Sequence, residues 1–194
     1  MRVLVLYAHP VETSFQDSLH RAVVQALVAA GHEVDDCDLY AEGFNPILTR
    51  RERLDYHDTS INRGPVEDYV RRVKAAEALV LVFPVWNFGY PAILKGFFDR
   101  VFLPGVSFEL KEDGSVAGKL THIRKVVAVA TYGGTRLRAI LAGDPPRKAV
   151  TRVLWGQTSL STSVAYHACY DMNRSTQARR EDFLARVAKA MARL

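Results

Sequence analysis

Residues 78–90 read Ala-Leu-Val-Leu-Val-Phe-Pro-Val-Trp-Asn-Phe-Gly-Tyr. From Leu79 to Phe83 every side chain is apolar, without the polar alternation of a half-exposed strand. Such a run predicts a strand buried on both faces, as in a parallel sheet covered by helices. Pro84 brings no N–H to a sheet ladder, so the pairing is expected to stop there. Trp86, Asn87 and Phe88 then set two large rings around an amide, and Gly89 lets the chain turn away. Pro91 suits the first turn of a helix, where its missing N–H costs nothing. In open parallel α/β sheets, ligands bind beyond the carboxyl ends of the strands. An aromatic loop there suits a flat, partly polar ring. It equally suits an ordinary strand-to-helix loop whose rings pack into the core.

Outward from this strand, strand and helix patterns alternate. Arg2–Tyr7 is strand-like. Leu19, Ala22, Val23, Ala26, Leu27 and Ala30 share one helical face, with Ser14 and Asp17 as an N-terminal cap and Gly31 as a stop. Glu33–Leu39 predicts a second strand, polar enough for a sheet edge. Residues 44–62 lack periodicity and predict a long connection with one short helix. Pro65 opens a helix burying Val66, Tyr69, Val70 and Val73. After Pro91, Ile93, Phe97 and Val101 form one stripe and Leu94, Phe98 and Phe102 an adjacent one, with Pro104 as the stop.

Phe108–Gly118 contains Asp113-Gly114 and predicts a hairpin. Val126–Thr131 and Ser163–Tyr170 predict two more strands. Between them lies a basic, proline-containing stretch, 135–152, with a helical start at Leu137–Leu141. A last helix, roughly 175–194, buries Phe183, Leu184, Val187, Ala188 and Met191. The expected fold is α/β: a doubly wound, five-stranded parallel sheet of order 2-1-3-4-5 with helices on both faces. It forms a single domain over residues 1–194.

Composition narrows the function. The net charge of +5 comes from scattered Lys and Arg with no dense basic block, which argues for anionic small molecules over nucleic acid. No apolar run approaches the roughly 20 residues of a membrane span, and the N-terminus lacks the pattern of a signal peptide. Cys37 and Cys169 form neither a disulfide framework nor a zinc spacing, so no metal is expected and a cytoplasmic location is.

The strands ending at Tyr7, Phe83 and Thr131 would be neighbours, so the loops after them would converge. The first sits at a helix N-terminus, where free N–H groups favour phosphate. Thr13 and Ser14 add hydroxyls there, and His9 can donate to a phosphate oxygen. The second loop is the aromatic one. The third, Thr131-Tyr132-Gly133-Gly134, lets backbone approach a ligand closely. A phosphate cradle, a ring platform and a glycine wall fit a nucleotide-like cofactor with a flat ring. GxGxxG, GxxxxGK[ST] and GxSxG are all absent, and Phe83-Pro84 stands where a receiver domain needs an aspartate.

These loops resemble the flavodoxin-like NAD(P)H:quinone oxidoreductase family. The matching stretches are 7–16 (Tyr-Ala-His-Pro-Val-Glu-Thr-Ser-Phe-Gln), 38–50, 131–134 and, most specifically, 83–102. The resemblance implies that His9, Ser14, Phe15 and Gln16 hold the flavin phosphates. It implies that Pro84, Val85, Trp86, Asn87 and Phe88 frame the isoalloxazine and ribityl, and that Thr131, Tyr132, Gly133 and Gly134 close the pyrimidine side. It further implies bound FAD, or alternatively FMN. NAD(P)H is the implied hydride donor, a quinone or similar aromatic compound the acceptor, the cycle ping-pong, and the assembly a homodimer.

The chain departs from the long quinone reductases after Gly134. Their Tyr and His are missing before Val150, and Arg136, Arg138, Arg147 and Lys148 stand in that stretch. Tyr132 and Arg136 are the remaining candidates to act on the reduced flavin, although the chemistry itself is the flavin's. The arginines also suit the 2′-phosphate of NADPH. Two other readings stand beside this one: a flavodoxin-type electron carrier, and an ancillary flavoprotein subunit of a transporter.

Overall fold

The computed structural model describes residues 1–194. Its sheet contains β1 (Arg2–Tyr7), β2 (Glu33–Asp38), β3 (Ala78–Val85), β6 (Lys125–Tyr132) and β7 (Ser163–Cys169). They are all parallel, in the order β2-β1-β3-β6-β7. With the sheet strands alone counted, this is the expected 2-1-3-4-5 order. The short antiparallel pair β4 (Phe108–Leu110) and β5 (Val116–Gly118) is the expected hairpin, with Gly114 at φ 80° in its turn.

The continuous apolar run of β3 places it at the centre. Leu79, Leu81 and Phe83 point into one core with α3 (Glu67–Ala75) and α4 (Ala92–Val101). Ala78, Val80 and Val82 point into a second core with α1 (Phe15–Ala29) and α7 (Gln177–Met191). Ser14 caps α1 by accepting from Asp17 N–H, and Gly31 turns the chain out at φ 79°. The short helix of the 44–62 connection is α2 (Arg50–Asp55), closed by a Thr49–Glu52 capping box.

Pro84 does not stop the ladder. Pairing with β6 continues through Pro84–Thr131 and Val85–Tyr132. Backbone groups alternate sides along a strand. Val82 O accepts Ala8 N–H on the β1 side, so Pro84 also faces that side, where β1 has already ended at Tyr7. The missing donor therefore falls where no strand waits for it, and the aromatic loop is carried two residues further out.

The basic stretch is more helical than its sequence pattern indicates. After α5 (Arg136–Leu141) come α6 (Pro145–Lys148), a π-helical turn over Ala149–Leu154 and a 3-10 turn over Trp155–Gln157.

Candidate cofactor site

Because β1, β3 and β6 are consecutive in the sheet, their three exit loops meet at its carboxyl edge. In the first loop, Val11 N–H donates to His9 Nδ1 at 3.1 Å, which leaves Nε2 as the donor of the ring. The α1 ladder begins with Ser18 N–H donating to Ser14 O. The N–H groups of Phe15 and Gln16 precede that bond and have no intrahelical acceptor. They aim at the loop, at the positive end of the helix dipole. Thr13 is exposed on the same loop. The Gln16 side chain is committed elsewhere. Its Oε1 accepts Thr131 Oγ1 at 2.8 Å, tying α1 to the end of β6. Gln16 can therefore offer a ligand its backbone, while its amide positions Thr131.

The second loop is a tight turn. Gly89 N–H donates to Trp86 O at 2.9 Å, and Asn87 and Phe88 sit at φ 49° and 57°. Positive φ at both central residues marks a type I′ turn. Sequence reasoning gave the turn to Gly89, but the left-handed positions are Asn87 and Phe88. Holding Phe88 there costs about 1–2 kcal/mol, and its effect is to lift both rings off the core. Trp86 and Phe88 are 42% and 43% exposed, which decides against the reading of loop rings tucked inward. The Trp86 indole lies 5.7 Å from the His9 ring, so the first two loops are in contact. Val85, at the end of β3, is half-buried beneath them.

In the third loop, Thr131 and Tyr132 are buried and Gly133 and Gly134 form an accessible wall. A Cβ on Gly133 would meet Asn173 Oδ1 at 3.2 Å, and one on Gly134 would meet Arg138 Cδ at 3.6 Å. Arg138 thus lies along the glycine wall. Asn173 is held there as Asp171 N–H donates to Gly134 O at 2.7 Å. The Asn173 contact is not readable from sequence, because Asn173 comes from the exit of β7.

The Tyr132 hydroxyl is occupied, donating to Asp144 Oδ1 at 2.6 Å and lying 2.7 Å from the Tyr166 hydroxyl. Burial pushes its pKa far above the usual phenol range. The structure therefore turns the Tyr132 hydroxyl away from the site, leaving its backbone at the wall. Arg136 faces outward, beside Arg147 and Lys148. Asp144 is the residue that sequence reading missed; its only signal was the Gly-Asp-Pro turn at 143–145.

Below the first loop, His9, Glu12, Asp17, Asp38 and Tyr7 border a cavity of about 320 Å³. The Tyr7 hydroxyl is buried without a hydrogen-bond partner, and burial pushes its pKa up to about 12. A neutral, unpartnered phenol beside free helix N–H groups is chemistry left for a bound polar group.

The chain matches the Flavodoxin_2 family, described as a flavodoxin-like fold, over residues 1–192. It is 32% identical to NAD(P)H dehydrogenase [quinone] 1 of Cavia porcellus over 162 residues, covering 73% of this chain and 57% of that protein. The chain thus spans little more than half the length of that relative. A crystal structure from Streptococcus mutans superposes with a TM-score of 0.87 at 28% identity, covering 100% of both chains. An NAD(P)H:quinone oxidoreductase of Methanothermobacter marburgensis superposes with a TM-score of 0.82 at 28% identity, covering 99% of this chain and 98% of that one.

Proposed function

This chain belongs to the Flavodoxin_2 family, and from that premise we propose that it is a flavin-dependent NAD(P)H oxidoreductase reducing quinones or similar aromatic acceptors. The observation that carries the reading is the convergence of three loops at consecutive strands, with the His9 and Trp86 rings 5.7 Å apart and Gln16 Oε1 accepting Thr131 Oγ1. The residues fit a flavin. His9 Nε2, the Ser14 region and the Phe15 and Gln16 N–H groups would hold its phosphate. Pro84, Val85, Trp86, Asn87 and Phe88 would frame its ring, and the backbone of Thr131–Gly134 would close the pyrimidine edge. When bound, FAD or FMN supplies hydride transfer from NAD(P)H to the acceptor in a ping-pong cycle. Arg138, whose side chain runs beside Gly134, would offer positive charge to the reduced ring.

A homodimer completes the proposal. The half-exposed Trp86 and Phe88 rings leave one side of the slot open, and a two-fold mate would cover them. No helix is long and apolar enough to cross a membrane. Cys37 and Cys169 are buried and unpaired, which suits the reducing cytoplasm.

The test is the visible spectrum of the purified protein and the identity of its released cofactor, with NADH and NADPH oxidation measured with and without a quinone. A protein that stays colourless after reconstitution with FAD and FMN would sink the reading. Binding of flavin without quinone-dependent turnover would favour the electron-carrier or ancillary-subunit readings.

A further inference from the structure

Beyond β6 and β7 the surface carries a cluster of cations that the cofactor site does not use. Arg136, Arg147, Lys148 and Arg152 line one cavity of about 340 Å³. Arg147 is neutralised within the protein, its Nε 3.1 Å from Asp144 Oδ2. Arg136, Lys148 and Arg152 are exposed and form no ion pair. Like charges gathered around one concavity repel each other and concentrate anions.

The local backbone explains the grouping. Residues five apart stack in a π-helical turn, and Ala149–Leu154 is wound that way. Arg147, in α6 just before this turn, and Arg152, within it, line the same cavity. Arg136 joins from the other side, two residues beyond Gly134. The Tyr170 hydroxyl, at the exit of β7, accepts from Arg147 Nη2 at 3.0 Å and forms the floor.

We propose that this cavity binds the 2′-phosphate of NADPH and gives the protein a preference for NADPH over NADH. The proposal rests on the reading of the chain as an NAD(P)H oxidoreductase. The flavin phosphate has its own cradle after β1, two strand spacings or about 10 Å from β6, so these cations are spare. A nicotinamide stacked on the open face of a flavin held between Trp86 and the Gly133–Gly134 wall leaves the adenosine end of the coenzyme to run toward β7. There a phosphate monoester, with three acceptor oxygens, meets the guanidinium forks of Arg136 and Arg152 and the Lys148 ammonium. Arg138 lies over Gly134 and does not line the cavity. The five cations of the segment thus divide between two tasks that sequence order alone merges.

The experiment titrates the purified protein calorimetrically with 2′,5′-ADP and with 5′-ADP at low salt. The expected result is 2′,5′-ADP binding tighter by about 10-fold or more, with the ratio shrinking as salt is raised. The Lys148→Ala/Arg152→Ala double variant, whose retained fold is checked by circular dichroism, should bring the two ligands to parity. Equal affinities in the wild type, or an unchanged ratio in the double variant, would overturn the proposal. So would competition by inorganic phosphate at the same concentration as 2′,5′-ADP, which would make the cavity a general anion trap. Neither ligand carries nicotinamide or flavin. Selective 2′,5′-ADP binding by a protein that takes up no flavin would therefore support the phosphate site while removing the oxidoreductase reading.

Discussion

The Tyr132 hydroxyl donates to Asp144 Oδ1 at 2.6 Å, joining the last residue of β6 to the residue that opens α6. Asp144 is buried and sits at φ 44°, so its carboxylate is aimed inward by a left-handed backbone. It also takes Arg147 Nε, and Arg147 covers the Tyr166 ring at 4.4 Å. This network fixes the glycine wall relative to the cation cavity.

Removing its centre should loosen both. Asp144→Ala removes the acceptor of both the buried Tyr132 hydroxyl and Arg147 Nε and is expected to cost about 2–3 kcal/mol. Tyr132→Phe leaves Asp144 with Arg147 and should cost about 1 kcal/mol. Urea denaturation midpoints at constant slope check the order. Equal losses would show that Asp144 is not the hub.

Phe88 is held at φ 57°, a conformation unfavourable for a bulky side chain. Phe88→Gly should stabilise the protein by up to about 1 kcal/mol by relieving that strain and weaken flavin binding by removing a ring of the platform. Gly89 has no positive φ, and a Cβ there would meet Trp86 O at an ordinary 3.7 Å. Gly89→Ala should therefore shift stability by less than about 0.5 kcal/mol. Thermal melts and flavin titrations of the two variants separate strain from platform. A destabilised Phe88→Gly would disprove the strain account.

Gly96 lies within α4, where alanine is intrinsically better by about 1 kcal/mol. Here the sign should reverse. A Cβ on Gly96 would collide with the backbone and ring of Pro46, which crosses the helix there. Gly96→Ala is expected to destabilise by about 1–3 kcal/mol, measured by chemical denaturation. A stabilised variant would mean that the 44–49 segment is free to move aside.

Burial raises the phenol pKa values of Tyr90, Tyr132 and Tyr166 above the ordinary value of 10.0. In this direction the folded state holds protons that the unfolded chain releases. The stability these groups contribute is complete below pH 10 and is lost as pH rises above it. Denaturation midpoints should therefore be insensitive to these tyrosines between pH 7 and 9 and fall beyond about pH 10. Absorbance of tyrosinate near 295 nm should rise together with unfolding. Ionisation of all three while the native spectrum persists would contradict their burial.

The sequence alone determined the sheet and its helices. The run Leu79–Phe83 can only be satisfied between two apolar layers, and the spacing of Leu19, Val23 and Leu27 supplies one of them. It also placed the three loops, because a parallel sheet with short crossovers brings the exits of adjacent strands together. Hidden from it were contacts between residues far apart in the chain. Pro84 read as a stop, and its tolerance depends on where the neighbouring β1 ends. Gln16 read as a ligand, and its amide is instead used by Thr131, 115 positions away. Tyr132 reads as a catalytic candidate, and its hydroxyl is taken by Asp144 and Tyr166. Arg136 and Arg138, two positions apart in sequence, separate onto different surfaces. Periodicity records which side of an element is apolar, and that decides the fold. Hydrogen bonds and charges act through space over a few ångströms, so only the tertiary structure decides which polar groups remain free for a ligand.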